Sequence, residues 1–311
     1  YRYIYIYGQG ECSEYFKSKN GLSISKFAML GFILYAGFMK HSHIIWTPNG
    51  VRGLTPSICN AGLKLLCKSI EDERSEAIRL ISKQKKGFGG KIPVAYQPSI
   101  LQKYPIILFG NNNERLYSPL PQLIMRRITA GLFYDFVSAG TMVLNDANKR
   151  FEDYSIKYIA AMMSRFAVEG SHKYKFRGNK IDTPDVLIKD KGKIVCVIEC
   201  KATKLTWEAQ FAENPFADAE DKYKQIAKGV FQLWRYFSHV RQGFVQKNDV
   251  CPDVNGVVLT LDPWLEMSRE LKKEVLDAAI VQADQYGSIT TADRRDIVFC
   301  SIYELEVTLA R

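Results

Sequence analysis

The stretch TPDVLIKDKGKIVCVIECKAT (residues 183–203) places three ionisable side chains, Asp185, Glu199 and Lys201, inside otherwise apolar runs. Such groups are costly to bury without partners, so their presence asks for a use. Side chains alternate along a strand. In KIVCVIECK (193–201), Val195, Val197, Glu199 and Lys201 therefore share one face, and Ile194, Cys196, Ile198 and Cys200 share the other. Both faces begin apolar, which predicts an interior strand with one face turning charged at its end. Asp185 lies on the preceding strand, across the turn DKGK. A tight loop on Lys191-Gly192 alone would set Asp185 opposite Ile198 and aim it away from Glu199. An odd-length loop or a bulge would set it opposite Glu199, and that register is expected.

Two carboxylates with one lysine suit a hydrated dication. Hard oxygen ligands match magnesium, which keeps several of its own waters. Lewis acidity toward a phosphoryl oxygen, and a lysine orienting water or steadying developing charge, would follow. The plainer alternative is a buried Glu199–Lys201 ion pair with Asp185 as a turn residue. Each half of the pattern is common. An acid-x-Lys recurs at Glu220–Lys222 in a helical stretch, and PDV recurs at 252–254 with no acid-x-Lys after the next strand. The combination of PD, apolar strand, turn and apolar strand ending in ECK is not common.

That combination resembles the PD-(D/E)XK nuclease superfamily, with its restriction-endonuclease-like fold. The resemblance spans about residues 146–311. It implies a metal-dependent nuclease that hydrolyses phosphodiester bonds, in DNA foremost, with RNA open. Asp185 and Glu199 would hold Mg2+, or Mn2+, with the backbone carbonyl of Cys200, while Lys201 positions the attacking water. A helix before the sheet often carries a metal-associated glutamate. Glu152 is the preferred match, ahead of Glu169. QLWRY supplies Gln232 and Tyr236, as in the RecB-like subgroup with QxxxY, and these would shape the site. Gln225, Gly229, Gln232 and Tyr236 form one helical stripe. Ile226, Val230, Leu233 and Phe237 form an apolar stripe expected to pack on the sheet. Lys224, Lys228 and Arg235 form a third stripe, a candidate for phosphate contact. A non-catalytic module that binds nucleic acid or protein on the same scaffold is the alternative. A role in restriction or phage defence is implied by family analogy alone.

The positioning elements follow from the pattern on either side. Helix, strands, helix, strand, helix and strand from residue 146 onward argue for an α/β fold, a mixed central sheet flanked by helices. Residues 1–145 read as a mainly helical region for targeting, a partner or a homo-oligomer contact, with LNDANKR (144–150) as the boundary. Within it, YRYIYIY reads as a strand, 23–39 and 55–84 as helices, 104–110 as a strand and 119–140 as a helix. KGFGGK (86–91) lacks the GKS/T ending of a phosphate-binding loop and reads as an ordinary loop. Beyond the boundary, helices are expected at 151–166, 218–240 and 265–284, and strands at 173–176, 256–261 and 296–302. Residues 203–217 read as a polar loop.

With 43 Lys and Arg against 33 Asp and Glu, the formal charge is +10, which favours an anionic partner. Seven cysteines without a CxxC or zinc spacing predict a reducing, cytoplasmic setting. FAMLGFILYAGFM (27–39) would make about 20 Å of helix, too short for a membrane span of roughly 30 Å. Four scattered histidines form no metal set, and GxSxG, HExxH and Walker patterns are absent. The first residue is Tyr1, not Met, so the sequence is expected to be a piece of a longer chain.

Overall fold

The computed structural model describes residues 1–47, 51, 53–85, 99–110, 114–205, 219–245, 249–263 and 269–310. KGFGGK and most of the polar 203–217 stretch lie outside the described residues. Two compact units are formed, one by residues 1–147 and the other by the described residues from Asn148 onward. The division falls between Ala147 and Asn148, within the LNDANKR stretch and inside a helix.

The first unit contains helices α1 (Arg2–Tyr7), α2 (Gly10–Asn20), α3 (Ile24–Phe38), α4 (Pro56–Leu66), α5 (Ile70–Lys85), α6 (Gln122–Arg127) and α7 (Phe133–Phe136). It also holds a small sheet of β1 (Ile44–Ile45), β2 (Cys67–Ser69), β3 (Ile106–Phe109) and β4 (Arg115–Tyr117), in the order β1-β4-β3-β2. Three expectations are corrected here. YRYIYIY is helical, because the adjacent residues Ile6 and Tyr7 are both buried and Tyr7 stacks on Phe136 at 5.1 Å. The 55–84 helix is interrupted by β2, which pairs with β3, and the Ser69 hydroxyl accepts from Asp72 N at 3.1 Å as α5 starts. The 119–140 helix breaks at Thr129, whose φ of −123° and ψ of −100° leave the helical region. In α3 the most apolar run buries Phe27, Leu30 and Leu34. Among the described residues no single helix is long and apolar enough to cross a membrane. Among the described residues no cysteine forms a disulfide.

Helix α8 (Thr141–Met162) continues into the second unit. There follow β5 (Ala167–Gly170), β6 (Lys173–Phe176), β7 (Asn179–Asp182), β8 (Val186–Asp190), β9 (Lys193–Lys201), α9 (Glu220–Arg241), β10 (Val250–Thr260), α10 (Arg269–Tyr286), β11 (Ile297–Ser301) and α11 (Ile302–Leu309). The sheet order is β11-β10-β9-β8-β5, with β6 and β7 forming a separate hairpin. Strands β5, β8 and β9 are antiparallel, whereas β9, β10 and β11 are parallel. Parallel neighbours need crossovers, which α9 and α10 supply. The unit is an α/β fold on a mixed sheet.

The core is built as the α9 pattern predicts. Ile226, Val230, Leu233 and Phe237 are buried with Leu187, Val197 and Val258 of the sheet. Each such side chain contributes about 1.5–3 kcal/mol on full burial. From α10, Val275, Ala279 and Ala283 add a narrow stripe, two of its three members alanine. The C-terminal end of α9 is pinned by Arg241, whose Nε and one guanidinium nitrogen reach the two Asp293 oxygens at 2.9 Å each. Trp234 Nε1 donates to the Arg295 carbonyl at 2.9 Å nearby.

The β8–β9 hairpin turns on Lys191-Gly192, with φ of 49° and 83°. Positive φ at both central residues is the two-residue geometry that follows strand twist. Asp190 pairs with Lys193 and Lys189 with Ile194, but Ile188 pairs with Cys196. Val195 is thus an extra, bulged residue. The tight loop alone would have left Asp185 opposite Ile198, and the bulge moves the pairing by one. It also corrects the expected faces, because Ile194 shares the α9-side core with Val197.

Candidate active site

Val186 pairs with Ile198, so the register carried one residue further sets Asp185 opposite Glu199. Asp185 Oδ2 accepts a hydrogen bond from Cys200 N at 2.7 Å, fixing the carboxylate at the end of the strand pair. Lys201 Nζ donates to Glu199 Oε1 at 2.7 Å and to Gln232 Oε1 at 3.1 Å. The lysine is thereby held between strand and helix. Gly229 on α9 makes room for it. A Cβ at that position would sit 2.9 Å from Lys201 Cε and 3.5 Å from Glu199 Cγ.

Electrostatics tie the fourth residue to this group. Burial pushes the Glu152 carboxyl up to about 7, the Asp185 charge adds to this, and the Lys201 ammonium opposes it. Burial likewise raises Glu199 to about 7, against Lys201 and with help from Asp185 and Glu152. Asp185 is raised by burial, while the Cys200 N–H and Lys201 favour its charged form. Three carboxyls therefore lie in the field of Lys201, with Lys149 also acting on Glu152, in a poorly solvated place where a dication would favour their charged forms. Glu169, the competing acid, pairs instead with Lys189 at 2.6 Å. Cys200 is buried, and its thiol meets the Ser155 hydroxyl of α8.

The donor set fits a magnesium-type ion in chemistry. It offers hard, anionic oxygens from Asp185 and Glu199, and such ions are commonly held by one or two carboxylates with water completing the shell. A closed cage is not formed. Among the described residues no three His, Cys, Asp or Glu side chains are placed to share one metal ion. One Asp185 oxygen is engaged by backbone and one Glu199 oxygen by Lys201.

Two groups of expected site residues are not brought in. Tyr236 lies on the same helical stripe as Gln232, but its ring faces Tyr174 edge-on at 6.4 Å and neighbours Phe237. Its buried hydroxyl has no hydrogen-bond partner among the described residues. One further helical turn has carried it past the lysine. The basic stripe is also divided. Lys224 pairs with Glu220 at 2.8 Å, Arg235 lies half-buried over the Phe231 ring at 5.7 Å, and Lys228 is exposed. Two features escaped the sequence reading. Gly229 was placed on its stripe without a spatial role. The alternation of basic and aromatic residues in KYKFRGNK (173–180) is the local signal of an amphipathic hairpin.

No protein-family model, curated protein or solved structure is significantly similar to this chain.

Proposed function

We propose that the second unit is a metal-dependent nuclease of the PD-(D/E)XK type that hydrolyses phosphodiester bonds in DNA. The observation that carries the reading is the convergence of Asp185, Glu199 and Lys201 through the bulged register and the Lys201–Gln232 hydrogen bond. The element order supports it as well. A mixed sheet flanked by helices, with one helix before it and one after the strand carrying Glu199 and Lys201, is what the resemblance implies. Mg2+ or Mn2+ held by Asp185 and Glu199 would supply Lewis acidity toward the scissile phosphate. Lys201, fixed by Gln232, donates hydrogen bonds to the attacking water or to the developing charge. Gly229 keeps that ammonium within reach, and Glu152 adds a further acid at the edge of the group. A role in restriction or phage defence belongs to this reading by analogy only.

One observation favours a second reading. Glu199 and Lys201 already form an ion pair and no three-ligand group exists among the described residues, as in a scaffold that binds nucleic acid without cutting it.

The deciding experiment incubates supercoiled, linear and single-stranded DNA, and RNA, with the full chain and with Lys201→Ala, with and without Mg2+ or Mn2+. Metal-dependent cleavage of DNA, lost in Lys201→Ala, is expected. Undiminished cleavage by the variant would overturn the assignment of Lys201. DNA binding without cleavage would favour the second reading.

A further inference from the structure

The β6–β7 hairpin stands outside the five-stranded sheet and ends three residues before Asp185. Its two faces differ sharply. Toward α9 it turns aromatic rings. Phe176 stacks on His239 with ring centroids 4.0 Å apart and planes 16° from parallel. The Tyr174 hydroxyl lies 2.7 Å from His239 Nδ1. Away from α9, alternation turns out Lys173 and Lys175 from β6 and Lys180 and Asp182 from β7. All four are exposed, as is Arg177 at the tip.

Three choices in this ribbon work against its own stability. Lys175 is directly opposite Lys180 in the register, and like charges facing across strands are destabilising. Arg177 adopts φ of 48° in the two-residue turn with Gly178, where Asn or Gly would sit more easily. Among the described residues Lys175, Arg177 and Lys180 have no carboxylate partner, whereas Lys173 has Asp182 at 4.0 Å. The facing lysines raise the positive potential of the outward face, while Arg177 at the tip lies over the Phe176 ring, 5.1 Å from its centroid. The ribbon is nevertheless held firmly. At its root, buried Thr183 donates its N–H to the His172 carbonyl at 2.9 Å and accepts from His172 N at 3.0 Å through Oγ1. Ser171 Oγ donates to the Thr183 carbonyl at 3.0 Å. The root is therefore two residues from Asp185, and the charged face reaches on the order of 13 Å beyond it, about four nucleotide steps along a duplex axis.

Resting on the nuclease reading above, we infer that the β6–β7 hairpin is a backbone clamp, in which Lys175, Arg177 and Lys180 grip the sugar–phosphate backbone of DNA flanking the phosphodiester presented to Asp185, Glu199 and Lys201. Two facing lysines with an arginine at the tip of a rigid ribbon match a regularly spaced polyanion, and neutralising its phosphates would relieve the lysine pair. Such contacts position a strand without reading its bases.

The test measures binding of a fluorescent DNA duplex to the full chain in EDTA, across a salt series, by anisotropy. The comparison is with the triple variant Lys175→Gln, Arg177→Asn, Lys180→Gln. Asn tolerates the left-handed turn, so the fold should persist, and melting curves check this. Loss of three phosphate contacts should reduce the slope of log affinity against log salt by about 2 to 3 and weaken binding about 10- to 100-fold near physiological salt. Lys180→Gln alone should reduce the slope by about 1, which keeps the test alive if the triple variant misfolds. Lys273→Gln serves as control, because that lysine is already paired with Asp277 at 2.6 Å, and its slope should not change. An unchanged slope in a folded hairpin variant would overturn the clamp, even if wild type cleaves DNA. A hairpin-dependent slope without any metal-dependent cleavage would sink the nuclease reading and leave the clamp standing. Hairpin-dependent binding to an RNA duplex or to phosphatidylserine vesicles in preference to DNA would also overturn the assignment to DNA.

Discussion

Glu73 in the first unit and Glu199 in the second are both buried, at 7% and 3% exposure, and burial raises both carboxyls to about 7. Their surroundings differ. Both Glu73 oxygens lack a hydrogen-bond partner among the described residues, and the charges nearest it are Lys68, Glu76 and Asp72 on its own stretch of chain. Glu199 faces Asp185 from another strand, accepts from Lys201 and lies under a helix that offers Gly229 and Gln232. A raised carboxyl alone reports desolvation. A site needs groups from several elements aimed at one point, and only Glu199 has them.

The largest expected effect separates the two glutamates by function. Lys201→Ala or Asp185→Ala should cut DNA cleavage about 10²–10³-fold or more, with the melting curve nearly preserved. Glu73→Gln should leave cleavage unchanged. Equal losses from both would erase the distinction.

Glu73 instead governs stability. Its folded pKa is about 7 against a usual value of 4.5, so the folded state holds a proton that the unfolded state releases. Stability of the first unit is then full below about 4.5 and falls as pH rises through 7, by about 2–3 kcal/mol in all. Urea titrations at pH 5 and pH 8 should show this fall in wild type and not in Glu73→Leu.

The second unit should show the opposite slope. His239 is fully buried between Tyr174 and Tyr286, and burial with Arg235 and Arg177 nearby lowers it to about 4. Its contribution is intact above about 6.5 and is lost as pH falls toward 4, about 2 kcal/mol by pH 5. His239→Phe should flatten that acid limb, read from the same denaturation series.

Gly229→Ala is the smallest and most diagnostic change. Alanine is favoured over glycine within a helix by about 0.5–1 kcal/mol, yet its methyl would displace the lysine stem. Unchanged or higher thermal stability with roughly tenfold slower cleavage is expected, a loss of about 1.4 kcal/mol in transition-state stabilisation. A variant that cleaves normally would remove the spacing role.

Much of the second unit was legible because its signals are local and mutually consistent. The stripe through Ile226, Val230, Leu233 and Phe237 follows from helical period. Pairing of Asp185 with Glu199 was expected, but a tight turn plus a bulge at Val195 was one of two ways to reach it. Nothing local in IVCVI distinguishes a bulged valine from a paired one. Tyr236 shares the Gln232 stripe but sits against Tyr174, because a stripe fixes direction and leaves depth to packing. In the first unit, YRYIYIY misled through aromatic preference for strands, a weak tendency overridden by the contact of Tyr7 with Phe136. The break at 67–69 depends on partner residues 39 positions further along the chain, which no window around it contains.

The extra valine also means that β9 has slack. Between the turn and Glu199, this arm spends one residue that its neighbour does not match. Shortening the chain by that residue would close the kink while leaving Glu199 across from Asp185, so a deletion inside the working strand should be tolerated where loss of a paired position would not. Length and chemistry are uncoupled at that point, and the backbone can drift in one without forfeiting the other.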